Sequence, residues 1–223
     1  MFRPPLAEMG ISLQVEDLYA DENLQCEDFW SWAQDFNRRV SLLPGPHAIM
    51  GYSLGGRLAL HALLSAQNLW TGGVIVSAHP GLSDDAEKKL RWENDHLWAE
   101  RFLVEKWSDV LRDWNAQAVF AGRTLEFLRT ESLSQRSGLA RMMTTWSLAK
   151  QEDLRSLLST TQIPLVWIVG KDDKKFAKLG EEIASLSKVV QLMVVPGSGH
   201  RVPWENKVDF LEALRSSSFL TSD

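Results

Sequence analysis

A single cysteine, Cys26, stands among 223 residues, so no internal disulfide can form and a reducing compartment is expected. No apolar run approaches the ~20 residues that a bilayer span needs, and Met1-Phe2-Arg3-Pro4-Pro5 lacks the apolar core of a signal peptide. The cytoplasm is therefore the expected location. Positive charge is also in deficit: 24 Lys and Arg against 29 Asp and Glu leave a net charge of -5, which gives no reason to expect nucleic acid or an anionic membrane as partner. Internal repeats, low-complexity tracts and flexible linkers are missing too. Tyrosine is scarce, with two residues against ten tryptophans. Five of those tryptophans (Trp92, Trp98, Trp107, Trp114 and Trp146) fall between residues 84 and 150, which marks that stretch as distinct. With 44% hydrophobic and 24% charged residues, the chain fits one sizeable α/β domain carrying an insertion.

The densest signal is His47-Ala48-Ile49-Met50-Gly51-Tyr52-Ser53-Leu54-Gly55-Gly56-Arg57. A short apolar run meets Gly51-x-Ser53-x-Gly55, and an Ala/Leu-rich helical run follows from Arg57 to Leu64. Strand, tight turn and helix are the context in which this pentapeptide forms a nucleophile elbow. A side chain at either flanking glycine would crowd the neighbouring strand and helix. The Leu54 N–H would open the new helix, where partial positive charge favours a developing oxyanion. The competing interpretation is a glycine-rich turn in which Ser53 merely caps the helix.

Further strands read as Ile11–Val15, Gly73–Ser77, Ile163–Gly170 and Val189–Val195. Helices read as Cys26–Leu43, Leu179–Leu186 and Val208–Leu214. Residues 84–150 carry helical periodicity only; Trp107, Val110, Leu111 and Trp114 fall on one face. This order predicts a mostly parallel α/β sheet flanked by helices, with residues 1–83 and 151–223 as core and 84–150 as a helical lid. Lys171-Asp172-Asp173 follows one strand and Gly199-His200 follows the next, so Ser53, Asp173 and His200 occur in the order nucleophile, acid, histidine, each past a strand end. His200 would polarise the Ser53 hydroxyl, and the carboxylate would fix its tautomer. Asp172 competes with Asp173, which is preferred. His61 reads as a packed helix residue; His79 opens a loop beside the site.

These residues resemble the α/β-hydrolase-fold enzymes of menaquinone biosynthesis, the 2-succinyl-6-hydroxy-2,4-cyclohexadiene-1-carboxylate synthases. The resemblance runs from about Ile11 to the C-terminus. It is carried by Gly51-Tyr52-Ser53-Leu54-Gly55-Gly56-Arg57, His79-Pro80-Gly81-Leu82, Trp98-Ala99-Glu100-Arg101-Phe102, Asp113-Trp114 with Val119-Phe120, Gly170-Lys171-Asp172-Asp173-Lys174-Lys175-Phe176, and Gly199-His200 with Glu205-Asn206. It implies a lyase in which the triad removes a proton and pyruvate is eliminated, with no acyl-enzyme, cofactor or metal. A small polyanionic substrate needs fixed cations. By resemblance Tyr52, Arg57, Arg91 and Trp114 bind it, with Arg136, or failing that Arg129, as a third arginine. If the counter-charge of Arg57 were internal instead, Glu16 or Asp17 would supply it. One departure stands out: the family's His-Gly-aromatic turn, which supplies half of the oxyanion hole, is not found. Either the chain starts late or Ile11–Val15 has moved into the vacant strand position; loss of one oxyanion donor typically costs about 100- to 1000-fold in rate. A carboxylesterase or C–C bond hydrolase acting through an acyl-enzyme, and a weakly active or non-catalytic homologue, are the alternatives. The oligomeric state is left open.

Overall fold

The computed structural model describes residues 3–120, 133–217 and 219–220. The chain opens with α1 (Arg3–Glu8), α2 (Asp21–Leu24) and α3 (Phe29–Val40), followed by β1 (His47–Tyr52), α4 (Leu54–Ser65) and β2 (Trp70–Val76). Between β2 and the next strand lie α5 (Asp85–Val104), α6 (Trp107–Asn115), α7 (Leu133–Thr145) and α8 (Arg155–Thr160). The chain then returns as β3 (Leu165–Gly170), α9 (Lys174–Leu186), β4 (Val190–Val195), α10 (Val202–Glu205) and α11 (Lys207–Arg215). The four strands form one parallel sheet in the order β1-β2-β3-β4.

Parallel strands covered on both faces must be apolar on both, and β2 and β3 are. Ile75, Leu165, Trp167 and Val169 point into one core with Phe29 and Trp32 of α3, Leu58 and Leu63 of α4, and Ile183 of α9. Val74, Val76, Val166 and Ile168 point the other way, onto Phe210, Leu211 and Leu214 of α11 and Leu6 of α1. A third cluster, Trp98, Phe102, Trp107 and Val110, is internal to the helical stretch after β2. This accounts for Trp98, Trp107 and Trp114, which build a small core of the stretch's own, while Trp146 joins the core of the sheet.

Element ends follow local chemistry. α3 starts at Phe29 rather than Cys26 because Asp28 accepts from the Ser31 N–H at 2.7 Å while the Ser31 hydroxyl accepts from the Asp28 N–H, a reciprocal cap. Asp173 and Asn206 cap α9 and α11 by accepting from the Phe176 and Asp209 N–H groups, so both helices begin before the apolar pattern does.

The strand expected at Ile11–Val15 does not form; those residues have no regular structure and pair with no strand. Their alternation has another cause. Met9, Ile11 and Leu13 pack onto the α11 side of the sheet, while Val15 is 69% exposed. In the described sheet β1 is therefore an edge strand.

Crowding around the elbow also differs from expectation in one respect. A Cβ at Gly51 would strike the Gly55 carbonyl, and one at Gly56 would lie 2.7 Å from the Ala78 Cβ, but one at Gly55 would meet nothing within 4 Å. The close approach of helix to strand is made at Gly56, not Gly55.

Candidate active site

β1 delivers Ser53 into a turn with φ 51° and ψ -112°, a left-handed conformation that side-chain-bearing residues adopt rarely. Two backbone bonds hold it there: the Ser53 N–H donates to the Val76 carbonyl at 2.8 Å, and its carbonyl accepts from the Arg57 N–H at 3.1 Å. The hydroxyl makes no capping bond to α4. It lies instead 3.2 Å from His200 Nε2, which disposes of the simple capping interpretation. Leu54 opens α4, in the turn where N–H groups have no intrahelical acceptor.

His200 is 4% exposed, and its Nδ1 bonds to Asp173 Oδ2 at 2.8 Å. The same carboxylate accepts from the Phe176 N–H at 3.2 Å, so the capping of α9 and the orientation of His200 share one side chain. Asp172 is exposed, and the partner of His200 is Asp173. The loop around His200 is held by Glu205, whose two oxygens accept from the N–H groups of Gly199 and Arg201 on either side of the histidine. The imidazole is ringed by Phe176 at 4.5 Å, Tyr52 at 5.5 Å and Phe120 at 6.0 Å. Among the described residues, no cluster of three His, Cys, Asp or Glu is placed to hold a metal.

Arg57 lies one helical turn beyond Ser53 and is 8% exposed. Its Nη1 donates to the Trp146 carbonyl at 2.9 Å and approaches Gln151 Oε1 at 3.5 Å, and its guanidinium sits 5.2 Å from the Phe29 ring centre. All three are neutral. Glu16 turns elsewhere, bonding Arg39 at 2.7 Å, and Asp17 Oδ1 accepts from the Tyr19 N–H at 2.9 Å, so neither expected carboxylate bonds Arg57. Burial, reinforced by the Arg91 charge and opposed by Asp95, pushes Arg57 down to about 9, and it remains a cation at neutral pH.

Arg91 donates through Nε to both oxygens of Asp95, which is 1% exposed and also accepts from Ser147 Oγ at 2.7 Å. His79 closes this buried polar corner. Gln151 Nε2 donates to its carbonyl, and its Nδ1 accepts from the Gly81 N–H. Trp114 packs among Trp98 at 5.0 Å, Phe102 at 5.3 Å and Phe120 at 6.3 Å, so it meets His200 only through Phe120. Arg136 lies at the seam between α5 and α7, its Nη1 donating to the carbonyls of Phe102 and Glu105 and its head group 5.2 Å from the Trp107 ring centre. Arg129 lies outside the described residues. Gln151 and the Trp146 carbonyl, which hold Arg57, went unnoticed in the sequence because they sit in an irregular segment with no periodicity to reveal them.

Two histidines make a testable mark on stability. His61 is fully buried, stacked on Phe29 at 4.6 Å, with Nδ1 on the Arg57 carbonyl at 2.7 Å. Burial, the largest cause in both, pushes His61 down to about 4 and His79 to about 3, with nearby cations adding to the effect at His79. From their ordinary value of 6.5 down to about pH 4, the unfolded chain therefore binds protons that the fold refuses. Stability should fall with pH by up to about 1.4 kcal/mol per pH unit for each histidine. Urea midpoints at pH 7, 6 and 5 measure this, and His61→Gln should flatten the slope. A midpoint constant over that range would contradict it.

Residues 16–213 match the family profile described as alpha/beta hydrolase family. The chain belongs to that family. A Haemophilus influenzae protein provisionally named 2-succinyl-6-hydroxy-2,4-cyclohexadiene-1-carboxylate synthase is 33% identical over 180 residues, covering 77% of this chain and 70% of its own length. The synthase of that name from Salmonella heidelberg is 35% identical over 170 residues, 74% of this chain and 66% of its own. By these relatives the chain falls in the synthase group of the alpha/beta hydrolases. Staphylococcus aureus MenH superposes with a TM-score of 0.76 at 18% identity, over 86% of this chain and 75% of that one, which concerns the fold alone. No described helix is long and apolar enough to cross a membrane.

Proposed function

We propose that this alpha/beta hydrolase is a lyase that eliminates pyruvate from 2-succinyl-5-enolpyruvyl-6-hydroxy-3-cyclohexene-1-carboxylate. The observation that carries this reading is Arg57: a buried cation one turn from Ser53, with only neutral partners. An unpaired buried charge is costly, and a substrate carboxylate would offset that cost. Arg91, held by Asp95 close enough to depress Arg57, is the second proposed cation. In the proposed reaction Ser53 passes its hydroxyl proton to His200 as it takes the ring proton. The electron pair forms the new ring double bond, the C–O bond to the enolpyruvyl group breaks, and the imidazolium returns its proton to the leaving enolate, which tautomerises to pyruvate. Asp173 stabilises the imidazolium formed in between, and the Leu54 N–H at the start of α4 faces developing negative charge. Tyr52, through its contact with the His200 ring, would flank the substrate ring. Trp114 is proposed to shape the pocket from behind Phe120, and Arg136, which also donates to the Phe102 and Glu105 carbonyls, is the third proposed cation.

An acyl-enzyme hydrolase remains the second reading, because a serine hydroxyl already on histidine can also attack an ester. Pyruvate release, followed by coupling to lactate dehydrogenase, separates the two. The lyase reading expects pyruvate from the enolpyruvyl substrate and little hydrolysis of p-nitrophenyl butyrate. No pyruvate alongside rapid ester hydrolysis would replace it with the esterase.

A further inference from the structure

Arg201 follows the catalytic-loop histidine directly, yet its side chain leaves that loop and enters the helical stretch inserted between β2 and β3. It is 5% exposed. Its Nη2 donates to Asn115 Oδ1, on the last residue of α6, and its guanidinium carbon lies 3.7 Å from the centre of the Phe120 ring. Neither partner is loosely placed. Asn115 Nδ2 donates to the Leu111 carbonyl at 2.8 Å, which turns its Oδ1 towards Arg201. Phe120 closes a short 3-10 turn whose N–H bonds the Gln117 carbonyl at 2.9 Å, and its ring meets His200 edge-on at 6.0 Å. At the other end the Arg201 N–H is fixed on Glu205. Among the described residues Arg201 therefore touches the insertion at two points, and the insertion touches the histidine at a third.

We propose that Arg201 is a positioning residue that fastens residues 115–120 over His200 and so sets how closely the reacting groups are covered. The side-chain type suits the task. A guanidinium can stack flat on an aromatic ring and donate in its own plane at once, which an ammonium cannot. Phe120 lies at the end of a single 3-10 turn beyond α6, so the Arg201 stack adds to the one turn bond that its N–H makes. With Arg201 removed, α6 would keep its core of Trp98, Phe102, Trp107 and Val110 while its trailing end lifted from the histidine.

The fastening does not depend on the reaction, so amide hydrogen exchange tests it first. In Arg201→Ala the N–H groups of Ala116, Gln117 and Phe120 should exchange about tenfold faster or more, while those of β1 to β4 keep their protection. Arg201→Lys should resemble the alanine variant, because charge without the planar stack does not hold Phe120. Asn115→Ala removes one of the two points and should show a smaller effect in the same residues, which keeps the test available if Arg201→Ala folds poorly. Unchanged exchange at 116–120, acceleration spread evenly over the sheet, or a lysine variant equal to wild type would each overturn the proposal. The consequence for turnover rests on the lyase reading. There KM for the enolpyruvyl substrate should rise about tenfold in Arg201→Ala, kcat should change less, and the pH profile of kcat/KM should keep its shape. Faster exchange with KM unmoved would overturn the claim that the cover serves binding and leave the lyase reading standing. Loss of pyruvate release in wild type would sink the lyase reading and leave the exchange result intact.

Discussion

Ser53→Ala should lower kcat for pyruvate release by about 10²- to 10⁴-fold, the range expected when a positioned proton-transfer group is lost. KM and melting temperature should move little. The reason is local: the bonds that hold the elbow, to the Val76 carbonyl and from the Arg57 N–H, are both made by the Ser53 backbone and survive the substitution. The hydroxyl contributes no cap to α4, so only its contact with His200 is lost. Steady-state pyruvate assays with a thermal melt decide the matter. A kcat within threefold of wild type would remove Ser53 from the reaction.

Arg57→Met should act on affinity instead, raising KM by about 30- to 5000-fold, which corresponds to the roughly 2–5 kcal/mol at stake when one member of a buried charged pair is truncated. Methionine keeps most of the apolar stem while removing a cation that the free protein holds against neutral partners only. The melting temperature should therefore hold or rise, the opposite of what an internal ion pair would give. A pH signature goes with it. Arg57 is pushed down to about 9 in the free protein, and a bound carboxylate would draw it back up. Binding above that pH therefore requires proton uptake, and affinity should fall as pH rises through about 9. The methionine variant should lack that limb. A lowered melting temperature with KM unchanged would assign Arg57 a structural role.

Much of this site could be read from the chain because parallel strands deliver their loops to one edge. Ser53, Asp173 and His200 each follow an apolar run, and the parallel sheet brings the ends of β1, β3 and β4 to one edge, with β2 between β1 and β3. The choice between Asp172 and Asp173 was legible only as a preference, since one residue of loop geometry decides which carboxylate meets His200. Ile11–Val15 misled because alternation records which side chains are buried, not whether the backbone finds a partner strand. Ile11 and Leu13 are partly buried against a sheet face without pairing. The surroundings of Arg57 were illegible for a different reason: its contacts come from a backbone carbonyl and an amide more than 85 residues away, in a segment with no repeating pattern. Arg136 is an arginine whose position in sequence does not reveal that two carbonyls at the end of α5 await it.

The strand order β1-β2-β3-β4 also bears on how the molecule assembles itself. β1 and β2 are joined through α4 and a short 3-10 turn, and β3 and β4 through α9, so each pair can form from nearby chain. Joining β2 to β3 instead requires closing the excursion over residues 77–164. Closing a loop about five times longer costs only roughly 1.4 kcal/mol more in chain entropy, but contacts distant in sequence slow the search for the native state. Ser53 belongs to the first half-sheet, Asp173 and His200 to the second. During refolding, reactivity at Ser53 should therefore return only when the two halves meet, later than the helical signal, and its recovery would time the slowest docking event in the chain.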